Sequence, residues 1–324
     1  MNAIVPSQNS AEEASRILKS AGDSLRLQIL AVLSSNAFSV SELSQIFAVK
    51  QNGMSHHLKT LATNKLLTTR REGNTIFYRR SDEPVAPFLN SIRDAIFDTA
   101  DKIVLDVVLQ ENLKTLFEQR ADAAQQFFID NAAAFKERQD LIAEFEVYGA
   151  EVEKVLAQSR LPGHDQALEV GPGCGEFLPV LARQFKKVIA LELSETMLEK
   201  SRHCCEQNAC DNVRFVLGDT RRCAEMSQSL DCAVINMVLH HSPAPSQLLD
   251  EVSQALKAKA SLIICELSQH DQDWVKEACG DQWQGFSRHE LVTWAQRSGF
   301  DSGLERYIAL RNGFQVQIHQ FIKC

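Results

Sequence analysis

Apolar residues recur at helical steps through the first part of the chain and gather into short buried-looking runs in its second half. Between residues 14 and 33, Ile17, Leu18, Ala21, Leu25, Leu27, Ile29, Leu30 and Leu33 keep a near-helical spacing broken at Gly22-Asp23, which predicts two helices. Ser39-Val40-Ser41-Glu42 reads as a capping box, an N-cap hydroxyl followed three residues on by Glu, opening a short helix over 40–47. Another helix is predicted over 52–63, with Met54, Leu58 and Leu61 facing inward; Gln51, Asn52, Ser55, His56 and Lys59 are left outside. The runs 67–71 and 75–80, joined by Glu72-Gly73-Asn74, predict a β-hairpin carrying Arg70, Arg71, Arg79 and Arg80.

Pro84 and Pro87 break the chain after the hairpin. Leu89, Ile92, Ile96, Ala100, Ile103 and Val107 then repeat at three- and four-residue steps, one seam of a long helix expected to lie outside both globular cores. Helical pattern continues over 121–159, where Phe127, Phe128, Phe135, Phe145 and Tyr148 are expected to pack over a ligand pocket, and Leu161-Pro162-Gly163 ends it. Beyond it come strand-like runs at 168–170, 188–192, 213–217 and 231–236. The reading is a multi-domain chain: a mostly α N-terminal winged helix-turn-helix over 1–83, a helical connector over 84–144, and a C-terminal α/β Rossmann-like domain over 145–324.

Charge sharpens the first part. Residues 1–80 carry a net +5, while the whole chain is −8, so the remainder is −13. A basic module on an acidic body suits a polyanion, and short polar side chains with Lys on one helix face suit a major groove. Gln51, Asn52, Ser55, His56, Lys59, Arg70, Arg71, Asn74 and Arg79 are the candidate DNA-contact residues. His57 reads as a packed histidine, and His56 fits either role.

Residues 14–81 resemble the ArsR family of dimeric bacterial repressors through the segment 23–33, Ser41-Glu42-Leu43, the stretch 54–61 and the Arg71-Glu72-Gly73 tip. The resemblance implies a homodimer, paired through the helix after the wing, on a near-palindromic double-stranded DNA operator. Metal-sensing members place two cysteines around a valine where this chain has Ser39-Val40-Ser41, and serine hydroxyls are poor ligands for soft metals. The usual inducer site is therefore expected to be missing, and no metal site is expected.

In the second half, Leu-Glu-Val-Gly-Pro-Gly-Cys-Gly at 168–175 sends a short strand into three glycines, Gly171, Gly173 and Gly175, and then an apparent helix start. Glu176 stands where a phosphate-binding fingerprint would want glycine or alanine, which points to an adenosyl ligand without phosphate. Glu192 follows Gly171 by 21 residues, near the spacing at which a carboxylate takes ribose hydroxyls, and Asp219 of the Gly218-Asp219 pair is placed to accept from an adenine amino group. Glu169, Gly171, Gly173, Gly175, Glu192, Asp219 and the segment 238–241 resemble the motifs of class I S-adenosylmethionine-dependent methyltransferases. That resemblance implies a cofactor site of Glu169, Gly171, Gly173, Gly175, Glu192, Leu193, Asp219 and Asn236 for S-adenosylmethionine or S-adenosylhomocysteine.

Asn236 is followed by Met237-Val238-Leu239 rather than the Pro-Pro-aromatic of amino- and base-methylating members. No catalytic residue is assigned; the alternative is His240 or His241 as general base for a small-molecule acceptor. Cys174, Cys204, Cys205, Cys210 and Cys223 raise arsenite methylation, but adjacent Cys204-Cys205 on one helix point apart. The whole looks like a repressor that responds to an adenosyl effector, with an autoregulated small-molecule methyltransferase as the alternative. No stretch approaches the roughly 20 apolar residues of a membrane span, and the opening residues lack a signal-peptide pattern, so a cytoplasmic protein with no membrane partner is expected. Nine scattered cysteines, none before Cys174, suggest reduced thiols rather than a disulfide framework.

Overall fold

The computed structural model describes residues 10–83, 85–131 and 135–324. Pro84 and the side chains of Phe128 and Phe135 lie outside the described residues. The chain divides after Gln119 into two compact units.

The first unit starts with α1 (Ser10–Ala21) and α2 (Ser24–Val32), separated where the pattern breaks; Asp23 caps α2 by accepting the Arg26 N–H at 3.0 Å. A two-residue strand, β1 (Phe38–Ser39), precedes α3 (Val40–Ile46), whose reciprocal capping box joins Ser39 Oγ to the Glu42 N–H and Glu42 Oε2 to the Ser39 N–H. α4 (Gln51–Thr63) follows, then β2 (Leu67–Glu72) and β3 (Thr75–Arg80). β2 and β3 pair antiparallel around Gly73-Asn74, where Gly73 takes a left-handed backbone (φ 59°), and β1 joins β3 to give a three-stranded sheet. The sequence did not single out β1, which is too short to show an alternation.

α5 (Pro87–Asp101) and the start of α6 (Val107–Asn131) replace the expected single connector helix. Asp106 restarts the helix by accepting the Leu109 N–H at 2.9 Å. The seam is not left outside a core: Leu89, Ile96 and Ala100 are buried with Ile17, Ile29, Leu30, Met54 and Leu58 in the first unit's own core. Val107, the last expected member of that seam, is 78% exposed, because the break at 102–106 re-phases the chain. The stretch 84–144 is thus shared between the two units.

The second unit contains α7 (Phe135–Asp140), α8 (Phe145–Gln158), β4 (Gln166–Val170), α9 (Leu178–Gln184), β5 (Lys187–Glu192), α10 (Glu195–Gln207), β6 (Val213–Leu217), β7 (Leu230–Asn236), α11 (Pro245–Ala255), β8 (Leu256–Leu267), α12 (Trp274–Cys279), α13 (Arg288–Arg297), β9 (Phe300–Ala309) and β10 (Gln315–Lys323). The sheet order is β6-β5-β4-β7-β8-β10-β9, parallel from β6 to β8, with β10 antiparallel to both of its neighbours. β4, β5 and β7 are buried on both faces, which is why they read as continuous apolar runs, whereas β6, at the sheet's edge, is only partly covered. Strand order reverses between β4 and β7, and the crevice outside the carboxyl ends of those two strands is where an open α/β sheet takes its ligand.

Candidate functional site

The glycine loop leaves β4 at that reversal, and each glycine is there for its own reason. Gly171 (φ +62°) lets Val238 come close: a Cβ would lie 2.7 Å from Val238 Cγ2. Gly175 (φ +82°) lets α10 come close, since a Cβ would lie 2.8 Å from Ser201 Cα. At Gly173 (φ +58°) a Cβ would meet nothing within 4 Å, so this glycine keeps open space rather than packing. Ser201 Oγ donates to the Gly173 carbonyl at 2.9 Å, fixing the loop to α10. The helix expected directly after the loop begins only at Leu178, with Pro179 in its first turn.

Around this loop the expected residues come together. Glu192, at the end of β5, accepts the Gly173 N–H at 3.3 Å and the Ser194 N–H at 3.0 Å; burial raises its carboxyl above the usual range while those N–H groups pull it back. Leu193, next to it, is 51% exposed and offers an apolar surface beside the Glu192 carboxylate. Glu169 is buried at the end of β4, and Asn236, at the end of β7, donates Nδ2 to its Oε1 at 3.2 Å. Glu169 Oε2 and Asn236 Oδ1 have no hydrogen-bond partner among the described residues. Burial lifts the Glu169 carboxyl to about 8, opposed by the Asn236 hydrogen bond. Two acceptors without donors, at a strand-order reversal beside an open glycine, fit the ammonium of an amino-acid moiety. The aromatic group on α8 is also nearby: Phe145 packs edge-on against Tyr148 and Phe177 at 5.5 and 6.4 Å. Phe127 instead packs against Gly280.

Asp219 sits as expected at the end of β6 but is already engaged. It accepts the Arg221 N–H at 3.0 Å and the Arg221 guanidinium Nε at 2.8 Å, and that pairing holds its carboxyl below the usual range. An adenine amino group would have to share this carboxylate with Arg221.

His240 and His241 lie on a short turn after β7. His240 is completely buried, its Nδ1 is 2.6 Å from Glu266 Oε1, and its backbone N–H donates to Glu266 Oε2 at 3.2 Å. Burial alone would lower its pKa, but Glu266 and Asp281 outweigh that and lift it to about 9. A buried imidazolium already carrying its proton is a poor general base. His241 is driven the other way, by burial and by the neighbouring His240.

In the first unit Gln51, Asn52, Ser55, His56 and Lys59 are all exposed on α4, while Met54, Leu58 and Leu61 are buried. His57 lies half-buried with Nδ1 3.9 Å from Asp23 Oδ1, as a packed histidine should. The hairpin arginines differ in their surroundings. Arg71 is exposed at the tip, its Nε donating to the Gly73 carbonyl at 2.9 Å, and Asn74 is exposed beside it. Arg70 points to the other face, where its Nε is 2.5 Å from Oε1 of buried Glu72, so the expected DNA contact is instead an internal ion pair. Arg79 is half-buried against Asp82 at 3.5 Å, and Arg80 is buried, donating to the Leu30 carbonyl and pairing with Asp101. Sequence reasoning weighed the arginines together; the i, i+2 spacing of Arg70 and Glu72 was the signal that separates them.

Two domain families match this chain: one described as a helix-turn-helix domain over residues 21–70, and one described as a methyltransferase domain over residues 168–264. The chain is 43% identical over 70 residues to the arsenical resistance operon repressor of Staphylococcus aureus, covering 22% of this chain and 67% of that protein. It is 38% identical over 93 residues to the arsenical resistance operon repressor of Staphylococcus xylosus, covering 29% of this chain and 88% of that protein. Among solved structures, the crystal structure of the [4+2]-cyclase SpnF covers 62% of this chain and 94% of its own, with a TM-score of 0.52 and 13% identity, a likeness of fold alone. The fold and these matches define a helix-turn-helix chain that carries a methyltransferase domain. Through its N-terminal unit it belongs to the ArsR family. Among the described residues no helix is long and apolar enough to cross a membrane.

Proposed function

We propose that this chain is a DNA-binding transcriptional repressor whose methyltransferase-like domain binds S-adenosylhomocysteine or S-adenosylmethionine as an effector. The observation that carries the ligand reading is the pair of donor-less acceptors, Glu169 Oε2 and Asn236 Oδ1, beside the open side of Gly173. Glu169 and Asn236 would take the ligand's ammonium, Glu192 its ribose hydroxyls, and Leu193 one face of its adenosine, with Asp219 at the adenine edge. The methyl group of S-adenosylmethionine supplies methyl-transfer chemistry where an acceptor and a base are available. Here His240 is buried and held between Glu266 and Asp281, which favours effector binding over turnover.

DNA is contacted by the exposed face of α4, through Gln51, Asn52, Ser55, His56 and Lys59, and by the hairpin tip, through Arg71 and Asn74. Arg70 and Arg79 support the hairpin from within. A homodimer suits Val104, Val107 and Val108, exposed at 88%, 78% and 67%, since three neighbouring valines in water favour a cover. Coupling of about 1–3 kcal/mol between ligand and DNA is enough to change DNA affinity roughly 5–150-fold.

The test is a DNA-shift titration with promoter fragments near the protein's own gene, adding each adenosyl ligand in turn. A shift that one ligand moves by at least about fivefold is expected. DNA binding indifferent to both ligands, together with rapid transfer of labelled methyl groups to an acceptor in cell extract, would replace this reading with the enzyme.

A further inference from the structure

We infer a second ligand site in the methyltransferase-like unit: a divalent transition-metal site formed by His240 Nε2, His241 Nδ1 and an Asp281 carboxylate oxygen, with Zn²⁺ as the matching ion. These three donor atoms lie within 4.8 Å of one another and all three residues are buried. His240 Nε2 is 4.0 Å and His241 Nδ1 is 3.7 Å from Asp281 Oδ1. Tetrahedral Zn²⁺ with bonds of about 2.0–2.1 Å holds its ligand atoms about 3.3 Å apart, so the His240–Asp281 and His241–Asp281 pairs need to close by about 0.7 and about 0.4 Å.

The surroundings are those of a ligand set rather than of a chance cluster. His240 Nδ1 is 2.6 Å from Glu266 Oε1, and that carboxylate also accepts the His240 and Leu267 N–H groups, so the imidazole is locked. Binding the ion displaces the Nε2 proton while Nδ1–H stays donated to Glu266, and this completely buried Nε2 has no hydrogen-bond partner among the described residues. A carboxylate on the far nitrogen of a ligating histidine is the common outer-shell arrangement, fixing the tautomer and raising ligand basicity. His241 is oriented through its other nitrogen, Nε2, which lies 3.0 Å from the Gln139 side-chain amide. The Gln139 atom nearest Nε2 is its amide nitrogen; with that amide flipped so that its oxygen faces the ring, Nε2 carries the proton and Nδ1 becomes the ligand atom.

Two imidazoles and one carboxylate form a borderline nitrogen and oxygen set, which suits Zn²⁺ over soft ions that want thiolate or hard ions that want oxygen alone. Three protein ligands leave a fourth position for water or another small donor. The ion would join the turn after β7 to the segment after α12, which already meet where the His240 carbonyl accepts the Gln282 and Trp283 N–H groups at 2.8 and 3.1 Å. The site is separate from the Glu169–Asn236 acceptor pair and from the Ser39-Val40-Ser41 stretch of the first unit.

The full chain is purified, stripped with chelator and dialysed against zinc chloride, with bound metal measured by mass spectrometry and thermal stability by calorimetry. One zinc per chain and a raised Tm are expected. X-ray absorption should show only nitrogen and oxygen neighbours at about 2.0–2.1 Å. His241→Gln and Asp281→Asn, confirmed as folded by near-ultraviolet circular dichroism, should each lose the bound zinc. Glu266→Gln should weaken it about 10–100-fold by freeing the His240 ring. No zinc on the folded parent chain, unchanged zinc in both folded ligand variants, or a sulfur shell at about 2.3 Å would overturn the assignment.

Discussion

Glu72 in the hairpin and Glu169 at the end of β4 are both almost completely buried, at 1% and 2% exposure, yet only Glu72 has a cation beside it. Arg70, two residues away on the same strand face, lies 2.5 Å from its carboxylate. Glu169 has the Asn236 amide on one oxygen and, among the described residues, no cation within ion-pair distance. A buried charge answered from within supports the fold, whereas one left open is either neutral or waiting for a ligand's charge. The contrast separates structural from functional polar residues more sharply than residue type does, and it reassigns Arg70 while strengthening Glu169.

The largest expected effect comes from closing the open side. Gly173→Val should abolish adenosyl-ligand binding in calorimetry while the ligand-free protein loses only about 1–2 kcal/mol, the cost of a side chain on left-handed backbone. Ligand affinity equal to the parent's would move the pocket elsewhere. Next comes opening the closed side: Arg70→Ala removes the cation 2.5 Å from the buried Glu72 carboxylate and should cost up to about 3–5 kcal/mol in chemical denaturation. Arg71→Ala, on the opposite strand face, should stay within about 0.5 kcal/mol. Equal destabilisation by the two would erase the distinction between the strand faces.

A smaller effect is expected at Glu169 itself. Glu169→Gln keeps the shape and removes the charge, and should weaken adenosyl binding by about 1.5–3 kcal/mol, or roughly 10–150-fold. The parent should also show a proton signature. Its carboxyl is raised from 4.5 to about 8 in the fold, so the native state holds a proton that the unfolded chain releases, and ligand-free stability falls as pH rises through that window. A bound ammonium favours the ionised carboxylate, so binding at neutral pH should release close to one proton, seen in calorimetry as a buffer-dependent enthalpy. Glu169→Gln should lose both the slope and the release; their persistence would assign them to another group. The smallest change is expected for Lys59→Ala or Arg71→Ala, each lowering the slope of log DNA affinity against log salt by about 1. An unaltered slope in either variant would take that residue off the DNA.

Local chemistry was legible in the sequence. The Ser39–Glu42 box, the Gly22-Asp23 break, the Gly73 turn and the inward face of α4 all appear where spacing placed them, because each depends on neighbours within about one turn. Glu192 reaches the glycine loop and Asn236 reaches Glu169 because strand ends in a parallel sheet collect along one edge. What stayed hidden depends on partners distant in sequence or on competition between neighbours. Asp281 meets the two histidines across about forty residues of chain, and no periodicity encodes that approach. Asp219 is taken by Arg221, a neighbour whose reach the motif does not reveal. The connector seam gave the right buried residues on α5, but a single Asp106 cap re-phased the rest.

The thiols of the methyltransferase-like unit close one avenue of control. Five of the nine cysteines are buried and only Cys324 is exposed, and burial pushes Cys205, Cys223 and Cys279 up to about 12. So little thiolate exists at neutral pH that peroxide, alkylating agents and trivalent arsenic find almost no nucleophile in that interior. A burst of oxidant in the cell should therefore leave these three buried thiols untouched, while half-buried Cys174 and Cys204 beside the glycine loop stay within its reach.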